Sequence, residues 1–308
     1  MPSQEQRSNN INPYYITGLS DAKSTFSIDS NYSLEGIKVK TNWKVSARFL
    51  IKLHSVEFSL LEKIKAQLGV GTVYLNTEKN EAIFKVSKLN EILDVIIPHF
   101  DKYPLQGVKC IDYNLWKEAV NFINKKEHIT NEGLLKILYI SKILSFPPGA
   151  GLTPMLKLDF FEISVGFKLG YKFSSYLEPN WITGFVERAG SFNVSIDSNN
   201  IVIVRLIIGS HIREQLLINK LFEYFNTGKI NTTESGGVVN LTMGNLADLQ
   251  LKVIPHFDKY LLQGNKHIKY LIWKEILIKV SKKEHLTKEG LSKIIKLKNK
   301  LDMRDSYI

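Results

Sequence analysis

Residues 16–26 read ITGLSDAKSTF, and residues 182–192 read ITGFVERAGSF. Each places glycine third (Gly18, Gly184), an acid sixth (Asp21, Glu187) and phenylalanine eleventh (Phe26, Phe192). The likeness returns downstream. Residues 95–137, VIIPHFDKYPLQGVKCIDYNLWKEAVNFINKKEHITNEGLLKI, parallel residues 252–294, KVIPHFDKYLLQGNKHIKYLIWKEILIKVSKKEHLTKEGLSKI. Pro98 matches Pro255, Trp116 matches Trp273 and His128 matches His285 at a constant offset of 157 (255 − 98). The upstream pair is offset by 166 (184 − 18), so the first copy carries nine extra residues between its two blocks. Two separate blocks in register mark a duplicated unit of about 150 residues.

Within each copy the coarse pattern is helix, two strands, helix, two strands, then helices. The opening helices span about Pro13–Ala22 and Pro179–Arg188, each with a proline near its start, where the missing N–H does no harm. Alternation of Phe26 and Ile28 with Ser27 and Asp29, of Val45 with Lys44 and Ser46, and of Phe192, Val194 and Ile196 with Asn193, Ser195 and Asp197 indicates half-exposed strands. Helices follow at about Ser55–Leu68 and His211–Phe225. Gly69, Gly71 and Gly228 mark turns into the next strand pair. Later helices start after Asn90 and Asp248 and are expected to end at the Pro98 and Pro255 turns. Thr130 and Thr287 are expected N-caps of each copy's last helix. The boundaries are 12–144 and 179–302 for the repeats, with 145–178 a linker around Pro147-Pro148-Gly149. Small residues four apart, Gly18 and Ala22, let another helix approach closely. If Gly184 faces Gly18, the halves join through their first helices about a pseudo-two-fold axis.

Among 308 residues, 44% are hydrophobic and 23% charged, which excludes a largely disordered chain. One cysteine, Cys110, excludes an intramolecular disulfide framework and a cysteine zinc finger. No apolar run approaches the ~18 residues of a membrane-spanning helix, and Met1–Tyr14 is polar, unlike a signal peptide. Forty-one Lys and Arg against 30 Asp and Glu give a net charge of +11, which suits a phosphate-bearing partner. Abundant Lys, Ile and Asn fit an AT-rich coding genome and hence an organelle.

The paired segments, together with the two PHFDKY and KKEH blocks, resemble the LAGLIDADG homing endonucleases in their single-chain, two-repeat form, closest to fungal mitochondrial intron-encoded members. The resemblance spans Asn12 to Leu301. It implies an α+β fold, αββαββα twice, with the sheets forming a nucleic-acid-binding saddle. It also implies an acid at the eighth motif position of each repeat, where two carboxylates hold divalent metals that activate water. Here those positions are Lys23 and Ala189. Carboxylates would total −2, whereas Lys23 with Ala189 totals +1, a change that should abolish cation binding there. Lys23 instead suits a helix C-terminus, by about 0.3–1 kcal/mol. Arg188 stands where the family has a small residue, and Ser24 replaces the first glycine after the acid. Asp21 and Glu187 are substitute ligands in name, but two residues back is about half a helical turn away, so capping or packing is the expected role.

Lys109 and Lys266 correspond to family residues near the cleaved phosphates. Expected groove or backbone contacts are Lys38, Lys40, Asn42, Lys44 and Arg48 in the first copy, and Asn193, Ser195, Asp197, Asn199 and Arg205 in the second. No metal-ligand spacing surrounds His128 or His285, so a structural role is expected. His99, His256, Trp116 and Trp273 are expected to pack. The favoured function is a nucleic-acid-binding protein that has lost cleavage, with group I intron maturase one version of it. An active metal-dependent endonuclease is the alternative, and a structural ribonucleoprotein component the second. The partners are double-stranded DNA or structured intron or ribosomal RNA, with no membrane. A monomer is expected, and no cofactor, Mg²⁺ entering only for the active enzyme.

Overall fold

The computed structural model describes residues 10–30, 44–145, 176–233 and 235–303. Lys38, Lys40, Asn42 and residues 146–175 of the linker expected at 145–178 lie outside these residues. The chain divides into two compact units, one built around residues 23–145 and the other around residues 14–22 with 176–303.

The first unit holds β1 (Ser24–Ser30), β2 (Val45–His54), α2 (Phe58–Leu68), β3 (Thr72–Asn76), β4 (Glu81–Val86), α3 (89–102), α4 (Lys109–Asn124) and α5 (Asn131–Ser145). Its antiparallel sheet has the order β1-β2-β4-β3, with Ser27 opposite Arg48 and Thr72 opposite Lys85. Alternation puts Phe26, Phe49 and Phe84 on the inner side, and Phe26 lies 5.1 Å from the Trp116 ring of α4, ring centre to ring centre. The Trp116 indole donates to the Ser27 carbonyl at 3.2 Å. Burying such large rings supplies most of the packing area and satisfies the one polar atom.

The second unit repeats the plan with α6 (Pro179–Ala189), β5 (Gly190–Ile196), β6 (Val202–His211), α7 (Gln215–Phe225), β7 (Lys229–Thr232), β8 (Val238–Met243), α8 (246–259), α9 (Lys266–Ser281) and α10 (Lys288–Asp302). Its sheet order is β5-β6-β8-β7. Phe192, Phe257, Tyr270 and Trp273 form the corresponding aromatic cluster, with Phe192 5.2 Å from Trp273. This unit also takes in Tyr14–Ala22 of α1 (Pro13–Lys23).

Local chemistry fixes the element ends. Gly69 ends α2 at φ +72°, and Asn226 ends α7 at φ +45° in the matching position. Both conformations are left-handed, the region favoured by Gly and Asn. The Thr130 and Thr287 hydroxyls accept from Gly133 N at 3.1 Å and Gly290 N at 3.0 Å, capping α5 and α10. One boundary differs from the sequence expectation. α3 and α8 do not stop at Pro98 and Pro255 but run on to Lys102 and Lys259. Each helix widens into a π-helical turn, at Ile92–Ile96 and Leu249–Val253, immediately before the proline. The wider turn shifts the hydrogen-bond ladder where the proline lacks its N–H, so the helix accommodates the ring instead of breaking.

Candidate nucleic-acid interface and motif-helix ends

The motif helices α1 and α6 pack within the second unit at backbone distance. A Cβ added to Gly18 would lie 1.9 Å from the Trp181 carbonyl oxygen, and one added to Gly184 would lie 2.0 Å from that of Tyr15. Only glycine permits this approach. Ser20 and Thr183 turn their hydroxyls back onto the Ile16 and Pro179 carbonyls, at 2.7 and 3.2 Å, so these two buried hydroxyls are satisfied.

The sixth-position acids serve this same helix pair. The Tyr15 hydroxyl donates to Glu187 Oε2 at 2.5 Å, and the Trp181 indole donates to Asp21 Oδ2 at 2.8 Å. Tyr15 and Trp181 share the offset of 166 that relates Asp21 to Glu187. The two contacts are therefore one contact made reciprocally, each helix's aromatic residue holding the other's acid. Asp21 and Glu187 are both 7% exposed. Glu187 Oε2 also accepts from Gln263 N at 3.0 Å. Burial pushes the Glu187 carboxyl above the usual carboxylate range, against the opposing pull of Tyr15, Gln263 and Lys266.

Each motif helix ends on its eighth residue. Lys23 closes α1 and is exposed; Ala189 closes α6 and is partly buried. Lys266, the first residue of α9, donates its ammonium to the carbonyl of Gly190, the residue after Ala189. Lys109 opens α4 in the corresponding place. An ammonium and a methyl group do not fit a divalent cation, and Asp21 and Glu187 are held inside the helix pair. Among the described residues no three His, Cys, Asp or Glu side chains come together as metal ligands.

The strand residues are sorted by alternation. Lys44 is exposed just ahead of β2 and shares the side of Ser46 and Arg48. Arg48 is half-buried and ion-paired with Asp29 of β1. Asn193 stands opposite Arg205, and with Ser195 all three lie on the outer side of the second sheet. Asp197 does something different. Its Oδ1 accepts from Asn199 N and Ile201 N, both at 2.8 Å, and so closes the β5–β6 turn. Asn199 is exposed in that turn. The same outer sides carry residues beyond those expected from the first hairpins, notably Thr72 opposite Lys85 and Lys229 opposite Thr242. The two pairs occupy matching positions at the offset of 157, with threonine and lysine exchanged between the copies.

His99, His256, Trp116 and Trp273 pack. Trp116 and Trp273 are fully buried. His256 meets the Thr183 hydroxyl at 3.1 Å and the Tyr224 hydroxyl at 2.9 Å, and burial lowers its pKa to about 3. His99 lies against the Phe100 and Tyr103 rings, its pKa lowered by burial to about 4.

Residues 16–120 and 182–277, both copies, match the family model for LAGLIDADG endonuclease. The chain belongs to the LAGLIDADG family. It is 33% identical over 302 residues to "Probable intron-encoded endonuclease 2" of Neurospora crassa, covering 94% of this chain and 65% of that protein. It is 31% identical to "Probable intron-encoded endonuclease 3" of the same fungus, covering 92% and 53%. The chain thus spans between half and two thirds of the length of these two relatives. Among solved LAGLIDADG structures, I-LtrWI bound to target DNA superposes with a TM-score of 0.82 at 32% identity, covering 94% of this chain and 97% of that one. I-CpaMI bound to uncleaved DNA gives 0.80 at 34% identity, covering 95% and 100%.

Proposed function

We propose that this chain is a LAGLIDADG protein that binds duplex DNA through the outer sides of its two sheets and no longer cleaves it. The observation that carries this reading is the pair Lys23 and Ala189 at the ends of the motif helices, with Asp21 and Glu187 buried in structural contacts. The DNA-bound solved relatives support the ligand. Lys44, Arg48, Asn193, Ser195, Asn199 and Arg205 contact groove edges or phosphates, as do Lys38, Lys40 and Asn42 ahead of β2. Lys109 and Lys266 contact backbone phosphate, and Asp197 shapes the loop that presents Asn199. Two repeats in one chain make the working form a monomer. A fungal mitochondrial intron is its origin, and assistance to intron splicing is one form its activity takes.

The test is selection of tight binders from a randomised duplex library, then incubation of the bound duplex with Mg²⁺ or Mn²⁺. Sequence-selective binding is expected, with about 1–3 kcal/mol lost per mismatched base pair and intact DNA recovered. Metal-dependent double-strand cutting would overturn the reading and return Asp21 and Glu187 to consideration as ligands.

A further inference from the structure

The middle of the second sheet carries side chains that a half-exposed strand does not call for. β6 is an inner strand, paired with β5 on one side and β8 on the other. Val204, Leu206 and Ile208 are buried in the core, so Ile203, Arg205 and Ile207 stand on the outer side. Ile203 and Ile207 are partly exposed and lie outside the core cluster. Their cross-strand neighbours are polar, Ser195 beside Ile203, and Ser191 and Thr242 beside Ile207. The fold does not require isoleucine at 203, since the residue 157 positions earlier is Ser46, which is exposed.

Arg205, between the two isoleucines, is placed differently from its counterpart in the first copy. Arg48 is ion-paired with Asp29. The residue that matches Asp29 at the offset of 166 is Ser195, and among the described residues Arg205 has no carboxylate partner. Gly244, just past β8, leaves room for the arginine stem: a Cβ there would lie 3.3 Å from Arg205 Cγ and 4.0 Å from Nε. The planar guanidinium fork is therefore uncommitted. Two parts of a duplex accept such a fork, a phosphate and the O6/N7 edge of guanine. The flanking side chains decide between them. Isoleucine gains nothing beside a phosphate, whereas in the major groove it packs on the methyl group of thymine. Alternate residues of a strand are about 6.8 Å apart, so the three side chains meet separate base pairs.

We propose that Arg205 reads a guanine in the major groove and that Ile203 and Ile207 read thymine methyl groups on either side of it. The proposal rests on the duplex-DNA reading above and names the bases that the second sheet recognises.

The test uses the full chain and the duplex it selects from a randomised library. The variants are Arg205→Ala and the double variant Ile203→Ser/Ile207→Ser, with thermal melting to confirm that each folds. Selection repeated with Arg205→Ala should erase a guanine preference at one position. Changing that base pair should weaken the wild type about 5- to 150-fold. Replacing thymine by deoxyuridine on either side of the guanine removes the methyl and keeps the pairing. It should weaken the wild type about fourfold per methyl and leave the double serine variant unaffected. Uniform weakening of Arg205→Ala across sequences, with a salt slope shallower by about one, would make Arg205 a phosphate contact and overturn the proposal. A wild-type chain indifferent to deoxyuridine would overturn it as well, with no variant needed. Either result alongside sequence-selective binding sinks this inference alone, whereas a wild-type chain that selects no sequence sinks the duplex reading itself.

Discussion

At the scale of single residues, the buried ionisable groups decide how stability responds to pH. His256 and His99 are held neutral in the folded chain, near 3 and 4 against an ordinary 6.5. The unfolded chain takes up protons that the folded chain refuses between those values. Their contribution is therefore complete above pH 6.5 and is lost as pH falls toward 3 to 4. Urea unfolding should show stability declining between pH 7 and pH 4, by on the order of 3 kcal/mol for His256 alone. His256→Gln, which cannot be charged, should flatten that slope. Glu187 has the opposite sign, because its folded value is raised: the cost of burying its charge is greatest at high pH and disappears as the group protonates. Tyr15→Phe removes one of the donors that hold this carboxylate, and a loss of about 1–3 kcal/mol is expected at pH 7. The same substitution should cost less at pH 5, which separates the lost hydrogen bond from lost packing.

At the scale of elements, the motif helix pair tolerates the least change. Gly18→Ala drives a methyl into the Trp181 carbonyl, and backbone cannot rotate aside as a side chain can. A loss above about 3 kcal/mol, or failure to fold, is expected in thermal melts. Thr287→Ala, which removes only the cap of α10, should cost about 1 kcal/mol. Much at this scale was legible in the sequence. The duplicated blocks, the period-two strands and the glycine and threonine boundaries placed the elements, because each depends on residues close in the chain. The continuation of α3 and α8 past their prolines was not legible, since a π-helical turn leaves no residue signature of its own. The partners of Asp21 and Glu187 were also hidden, lying 160 and 172 residues away. A hint was nonetheless present: Tyr15 and Trp181 match at the same offset as the two acids, so any contact made by one pair is offered to the other.

At the scale of the whole molecule, the proposed loss of cleavage rests on Lys23 and Ala189, and the double variant Lys23→Glu with Ala189→Glu would give each motif helix a carboxylate at its last residue. Mg²⁺-dependent cutting of the selected duplex is expected from that double variant and from neither single one. Each new acid should also lower stability by about 0.3–1 kcal/mol, being placed at the negative end of a helix dipole. The chain path adds a consequence of another kind. Residues 14–22 belong to the opening repeat in sequence but to the second unit in space. A fragment beginning at Tyr176 would carry α6 without the neighbour that its glycine surface admits. The simplest replacement is α6 from another copy, in a self-complementary arrangement that places Gly184 against Gly184. Such a fragment should sediment as a homodimer. Joining two such genes would turn a concentration-dependent encounter into an intramolecular one and leave each half free to diverge.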